Sequence, residues 1–220
     1  MIKAVIFDCD GTVYDNCGAG DLGDVLGLKR AYDELGINAE LPSKETLMKK
    51  MGSPYPVFFK GIIPDESFED ANPLAMKYAV EEAVKLVRAG KGKLYPGAIE
   101  TMAALRKAGI RMGMATNGNK PYIKAVVETY KLDRLLDIYM SYQEVKGDKG
   151  DVVSEELRQL KVRPENALMV GDRKSDMEAA RKAGCKAIGA TYGYGSKEEL
   201  KDADFMISRI TQLPSLVEKC

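Results

Sequence analysis

The chain has 220 residues with 33 basic and 33 acidic side chains, so its formal net charge is zero and no electrostatic argument favours nucleic acid or an anionic membrane surface. It contains no histidine, which excludes Ser-His-Asp chemistry and histidine metal ligands, and its four cysteines, Cys9, Cys17, Cys185 and Cys220, form no C-x-x-C pair. No apolar stretch is long enough to span a bilayer, and the N-terminus enters an apolar segment at once, so a cytoplasmic chain with reduced thiols and no signal peptide is expected.

Residues 4–7, Ala-Val-Ile-Phe, are too short for a stable helix and read as a buried strand. Asp8 and Asp10 follow where that strand leaves the sheet, and in an open parallel sheet the carboxyl ends of strands border the ligand crevice. A carboxylate there caps a helix, pairs with a cation, binds a metal or acts as a nucleophile. Two carboxylates two residues apart repel unless a metal or a shared proton separates their charge states, so a metal is the economical explanation. Gly11 allows a turn and a close backbone approach to a ligand. Cys9 lies between the two acids but has no histidine to activate it, and is not read as the nucleophile.

From residue 22 to about 95 the pattern is helical. Leu22, Val25, Leu26, Ala31, Tyr32 and Leu35 recur at helical spacing before Gly36, and Ser43 opens a second helix that Gly52-Ser53-Pro54 ends. Residues 57–63 precede Pro64, and a longer helix is expected from about Pro73 to Arg88, closed at Gly90. No strand is read in this stretch. It predicts a separate helical module over residues 17–94, with the glycines near Gly18 and residues 89–92 as paired hinges, and a core formed by 1–16 and 95–220.

Beyond Tyr95-Pro96-Gly97 helices and strands alternate. Helices are expected at 98–108, 120–130, 150–160, 175–183, 197–201 and the C-terminus, and strands at 110–115, 137–141, 167–170, 186–190 and 204–207. The fold class is therefore α/β, a doubly wound and mostly parallel sheet with a smaller all-helical module inserted after the first strand.

Three more groups fall at strand ends or helix starts. Thr116-Asn117-Gly118 offers a hydroxyl and an amide where a helix N-terminus favours an anion, though the same residues also make ordinary caps and turns. Gly171-Asp172 is followed by Asp176, one helical turn on, with helix capping the competing role for Asp172. Lys149 stands just before a helix; a carboxylate cluster facing a dianionic ligand needs at least one cation besides a metal.

Asp8-Cys9-Asp10-Gly11-Thr12, Thr116-Asn117-Gly118, Lys149 and Gly171-Asp172 with Asp176 resemble, in order, the four motifs of the haloacid dehalogenase-like phosphohydrolases. Thr191-Tyr192-Gly193-Tyr194-Gly195-Ser196 with Glu198-Glu199-Leu200 looks like the phosphoglycolate phosphatase branch, and the insert resembles its helical cap. Lys149 rather than Lys146 is matched to the third motif for its place at the helix start, although the Lys-Pro often found there is absent. The resemblance implies Asp8 as nucleophile, Asp10 as general acid and base, and Mg²⁺ held by Asp8, the backbone carbonyl of Asp10 and Asp172. It implies Thr116, Asn117 and Lys149 as phosphate-binding groups, with Asp176 behind them orienting a water or Lys149. Family dehalogenases lack the second acid because a leaving halide needs no proton, so Asp10 favours phosphate ester hydrolysis. A phosphomutase ranks lower, since some of those use a cap histidine, and a catalytically silent phosphate-sensing or scaffold protein is disfavoured by the complete set of groups. The expected partner is a small phosphorylated metabolite, with no nucleic acid or membrane, and the expected state is a monomer or small homo-oligomer. Phosphoglycolate, a sugar phosphate and a nucleotide monophosphate remain open as substrates. Residues 52–55 and Phe58-Phe59-Lys60 either contact the leaving group or form cap core, as apolar side chains of this kind usually do.

Overall fold

Ala4–Phe7 forms strand β1, and all four of its residues are buried, the mark of a strand covered on both faces. In this computed structural model residues 1–16, 20–50 and 57–219 are described. Contacts divide the chain into two compact units, Met1–Asp15 with Lys93–Cys220, and Asn16–Gly92.

The first unit is an α/β layer structure. After β1 and the short β2 (Tyr14–Asp15) come β3 (Lys93–Leu94), β4 (Arg111–Thr116), β5 (Met140–Ser141), β6 (Ala167–Gly171), β7 (Lys186–Ala190) and β8 (Phe205–Ile207). Six of these make one parallel sheet in the order β5-β4-β1-β6-β7-β8. Strand order reverses at β1: the chain builds outward through β4 and β5, then crosses to β6 on the other side. That topological switch point is where open sheets of this kind bind ligands, at the carboxyl ends of the strands.

The helices of this unit are α4 (Ala98–Lys107), α5 (Lys120–Thr129), α6 (Lys149–Leu160), α7 (Lys174–Ala183) and α8 (Leu213–Lys219), numbered after three helices of the second unit. Ala4, Ile6, Ala167 and Met169 share a buried cluster with Val152, Val153 and Leu157 of α6 and Met177, Ala180 and Ala183 of α7. Side chains alternate along a strand, so Val5, Phe7, Leu168 and Val170 point to the opposite face, and they too are fully buried.

The second unit is helical, with α1 (Gly20–Leu35), α2 (Lys44–Lys50) and α3 (Phe68–Arg88). Ala71, Ala75, Ala79 and Ala83 recur every fourth residue on the buried face of α3. Gly23 and Gly27 of α1 lie against Ala83 and Ala79, and a Cβ at Gly27 would overlap the Ala79 backbone; small residues on both sides let the two helices approach closely. Phe58 and Phe59 are buried in this unit's core with Leu28, Leu47 and Ile63, the packing alternative of the two open for them, whereas residues 52–55 and Gly18 lie outside the described residues.

Several elements differ from the sequence reading. β2 and β3 pair antiparallel where the chain leaves and re-enters the first unit; at two residues each they carry no periodicity to read. Helix α3 begins at Phe68, five residues before the expected start near Pro73, because burial of Ala71 and Ala75 outweighs the one backbone bond that Pro73 forfeits. Strand 137–141 contracts to Met140–Ser141, since the Asp137 carboxylate accepts from the Met112 N–H at 2.8 Å in place of a ladder carbonyl. The expected helix at 197–201 is a run of turns: Ser196 and Glu199 each take the other's backbone N–H, at 3.3 and 3.2 Å, and the backbone bonds that follow, such as Leu200 N–H to Lys197 O at 3.2 Å, span three residues rather than four.

Candidate active site

The site is built from the carboxyl ends of β1, β4 and β6 and the first turns of α5, α6 and α7. In register, Phe7 of β1 lies beside Met114 of β4 and Val170 of β6, so Asp8 emerges between the strand ends that carry Thr116 and Asp172. Asp8 is held by its own N–H donating to Val170 O at 2.8 Å, while its Oδ1 accepts from the Cys9 N–H at 2.8 Å and from Lys149 Nζ at 2.5 Å.

Lys149 opens α6. The preceding Asp148 caps the helix, accepting from Gly150 N at 2.8 Å, and Asp151 returns the bond to Asp148 N at 2.8 Å. That capping box fixes the turn that directs Lys149 inward, where its ammonium, 5% exposed, bridges Asp8 and Asp176, each at 2.5 Å. Lys146 is exposed.

Asp176 is the third residue of α7. Its Oδ2 accepts from the Arg173 N–H at 2.9 Å, which folds the side chain back over the strand end, and a Cβ at Gly171 would overlap it. Asp172 has no exposed surface; it accepts from Thr12 Oγ1 at 3.2 Å and from the backbone N–H groups of Tyr194 and Gly195 at 2.8 and 3.3 Å. The loop after β7 comes this close because Gly193 and Gly195 carry no Cβ; one added at either would run into Asp172. Tyr192 ties the same loop to the first motif by donating to Thr12 O at 2.9 Å.

Asp8, Asp172 and Asp176 each offer a carboxylate oxygen within 4.8 Å of the others, and all three residues are buried. Burial, reinforced by the Asp176 charge and opposed by Lys149, pushes the Asp8 carboxyl well above the usual carboxylate range. Burial and Asp176 raise Asp172 to about 7. Burial alone would lower the Lys149 ammonium, but Asp176 and Asp8 more than reverse that and hold it charged. Three carboxyl groups crowded around one ammonium raise the cost of ionising them, a cost that a bound cation would relieve, and their hard oxygen donors are the set that suits Mg²⁺.

Of the residues singled out in the sequence, Asp8, Lys149, Asp172 and Asp176 are brought together. Asp176, expected behind the ligands, stands within ligand reach. Asp10 adds no side chain to this group; its Oδ1 instead accepts from the Tyr122 hydroxyl at 2.6 Å. Thr116 is buried at the end of β4 and its Oγ1 accepts from Gly118 N at 2.9 Å, a local turn that leaves its own proton to give; Asn117 beside it is half-buried. Cys9 is buried and its thiol is pushed well up by burial and by Asp10 and Asp8, the opposite of an activated thiolate. Thr12, Tyr122 and the Tyr194-Gly195 amides were not singled out for any part in the site. Alternate glycines after β7 were the one signal for a close backbone approach, and nothing in the sequence pointed to Tyr122.

The protein-family model described as haloacid dehalogenase-like hydrolase matches residues 5–190. A phosphoglycolate phosphatase of Shigella dysenteriae is 26% identical over 237 aligned positions, covering 96% of this chain and 91% of the relative. One of Salmonella typhimurium is 28% identical over 221 positions, covering 90% and 85%. Among solved structures, a predicted phosphatase from Clostridium acetobutylicum superposes with a TM-score of 0.82 at 24% identity, covering 100% of both chains. A parallel sheet with its switch point at β1, motifs at the ends of β1, β4 and β6 and at the start of α6, and a family match over most of the length have one common explanation: the chain belongs to the haloacid dehalogenase-like hydrolase family of enzymes.

Proposed function

We propose that this hydrolase is a Mg²⁺-dependent phosphatase acting in the cytoplasm on a small phosphate monoester, through an aspartyl-phosphate on Asp8. The observation that carries the reading is the buried Lys149 ammonium bridging Asp8 and Asp176 inside the same group as Asp172. The names of the curated relatives support the phosphatase class and put phosphoglycolate first among the substrates to try. The first unit is the catalytic core in this reading, the second the cap, and the free thiols of Cys9 and Cys185 suit a reducing compartment.

Asp8, Asp172 and the backbone carbonyl of Asp10 would hold the metal. Mg²⁺ bound there supplies positive charge that offsets the repulsion between carboxylate and phosphoryl oxygens. An Asp8 oxygen attacks phosphorus while the ester P–O electron pair leaves with the departing oxygen, which takes its proton from Asp10. Asp10 then removes a proton from the water that attacks the acyl phosphate, releasing phosphate and restoring Asp8. The Lys149 ammonium, the Thr116 hydroxyl and the Asn117 amide hold the equatorial oxygens as charge shifts between them, and Asp176 orients Lys149.

The test is phosphate release by the purified protein with Mg²⁺ from phosphoglycolate, sugar phosphates and nucleoside monophosphates. Release is expected from at least one ester, abolished by EDTA, restored by excess Mg²⁺, and reduced by about three orders of magnitude or more in Asp8→Asn. No release from any ester, undiminished release by Asp8→Asn, or indifference to chelation would each overturn the reading.

A further inference from the structure

We propose that Tyr122 is the positioning residue of the general acid and base: it holds the Asp10 carboxyl by Oδ1 so that the proton handed to the leaving oxygen is carried on Oδ2. The proposal rests on the phosphatase reading above. Tyr122 is the third residue of α5, the helix that follows the Thr116-Asn117-Gly118 turn, and its ring lies beside Gly118. Only 7% of it is exposed, yet it is not buried as an apolar filler: its hydroxyl donates to Asp10 Oδ1 at 2.6 Å, across 112 residues of sequence. A buried phenol needs a partner for its O–H, and this one is given to the carboxyl that stands outside the Lys149 cluster.

The consequence is specific to the first step. As the ester bond breaks, its electron pair goes to the leaving oxygen and the proton on Asp10 Oδ2 goes with it, leaving Asp10 as a carboxylate. The Tyr122 hydroxyl then donates to a charged acceptor rather than a neutral one, and that bond strengthens as the transfer proceeds. The help is felt in proportion to how much the departing oxygen needs a proton: greatly for an alkoxide, hardly for p-nitrophenolate.

The experiment compares kcat/KM, which reports the steps up to formation of the aspartyl-phosphate, for the best alkyl ester of the screen and for p-nitrophenyl phosphate. In Tyr122→Phe the value for the alkyl ester is expected to fall about ten- to hundredfold, the scale of one hydrogen bond to a charged group, and that for p-nitrophenyl phosphate by less than about twofold. In an Asp10→Asn background the Tyr122→Phe change is expected to add nothing. Tyr122→Met, which also lacks a donor, must give the same split, with circular dichroism reporting whether each variant is folded. Equal losses on both esters, no loss on the alkyl ester, or fully multiplicative losses in the double variant would overturn the assignment. A wild type that releases phosphate from neither ester would instead reject the phosphatase reading, and this proposal with it.

Discussion

Replacing Asp172 by asparagine removes one carboxylate from the buried group of Asp8, Asp172 and Asp176 while keeping the side chain's shape, and the structure fixes both the sign and the scale of the effect. Burial and the Asp176 charge raise the folded-state carboxyl to about 7, against about 3.9 in an unfolded chain. The folded state therefore binds the extra proton: the stability that goes with it is complete below about pH 4 and is lost as the pH rises through about 7. Three pH units at about 1.4 kcal/mol each put the penalty near 4 kcal/mol at pH 8 in the absence of a cation. Part of this returns in the variant, because an amide oxygen accepts less strongly than a carboxylate from the Tyr194 and Gly195 N–H groups. A net gain of about 2–3 kcal/mol is expected for metal-free Asp172→Asn at pH 8, a Tm higher by roughly 5–10 °C, with little change at pH 4.5. The chain has no tryptophan, so thermal unfolding in EDTA is followed by circular dichroism. Added Mg²⁺ should raise the wild-type Tm at pH 8 and leave the variant's unmoved. A difference between the two proteins that does not grow from pH 4.5 to pH 8 would refute the reasoning.

Lys149→Met leaves Asp8 and Asp176 facing one another without their ammonium. A loss of about 3–5 kcal/mol is expected in EDTA at pH 8, smaller at pH 5 where the Asp8 carboxyl, pushed up by burial, takes up a proton, together with a fall in phosphate release of about a hundredfold or more. Urea unfolding and the release assay check it, and wild-type stability at pH 8 would speak against a structural part for the bridge. Glu156 of α6 is wholly buried against Gly113 of β4, and burial pushes its carboxyl well above the usual range. Its proton favours the folded state most at low pH, a contribution lost as the pH rises toward the raised value. Glu156→Gln should therefore flatten the decline in stability between pH 5 and pH 9, gaining about 1–3 kcal/mol at the alkaline end; an unchanged slope in urea titrations would count against it.

The sequence alone determined the parts that depend on local chemistry. A four-residue apolar run followed by two acids specifies a buried strand ending in carboxylates, and alternating helix and strand patterns specify a parallel sheet, because buried parallel strands read as continuous apolar runs. The resemblance to the family's four motifs likewise singled out Asp8, Lys149, Asp172 and Asp176 before any of them had a neighbour. Tertiary structure decided what those residues face. That Asp176 stands beside the Asp8 and Asp172 carboxylates follows from α7 starting at Lys174, which makes Asp176 a capping residue folded back toward the strand end. Asp10 meets Tyr122 because β4 lies beside β1 and α5 starts from the turn after β4, so residues 112 apart come within hydrogen-bond distance. Local patterns register burial and turns; which side chain receives a proton or an ion depends on strand order and helix starts, and those are settled only when the sheet closes around β1.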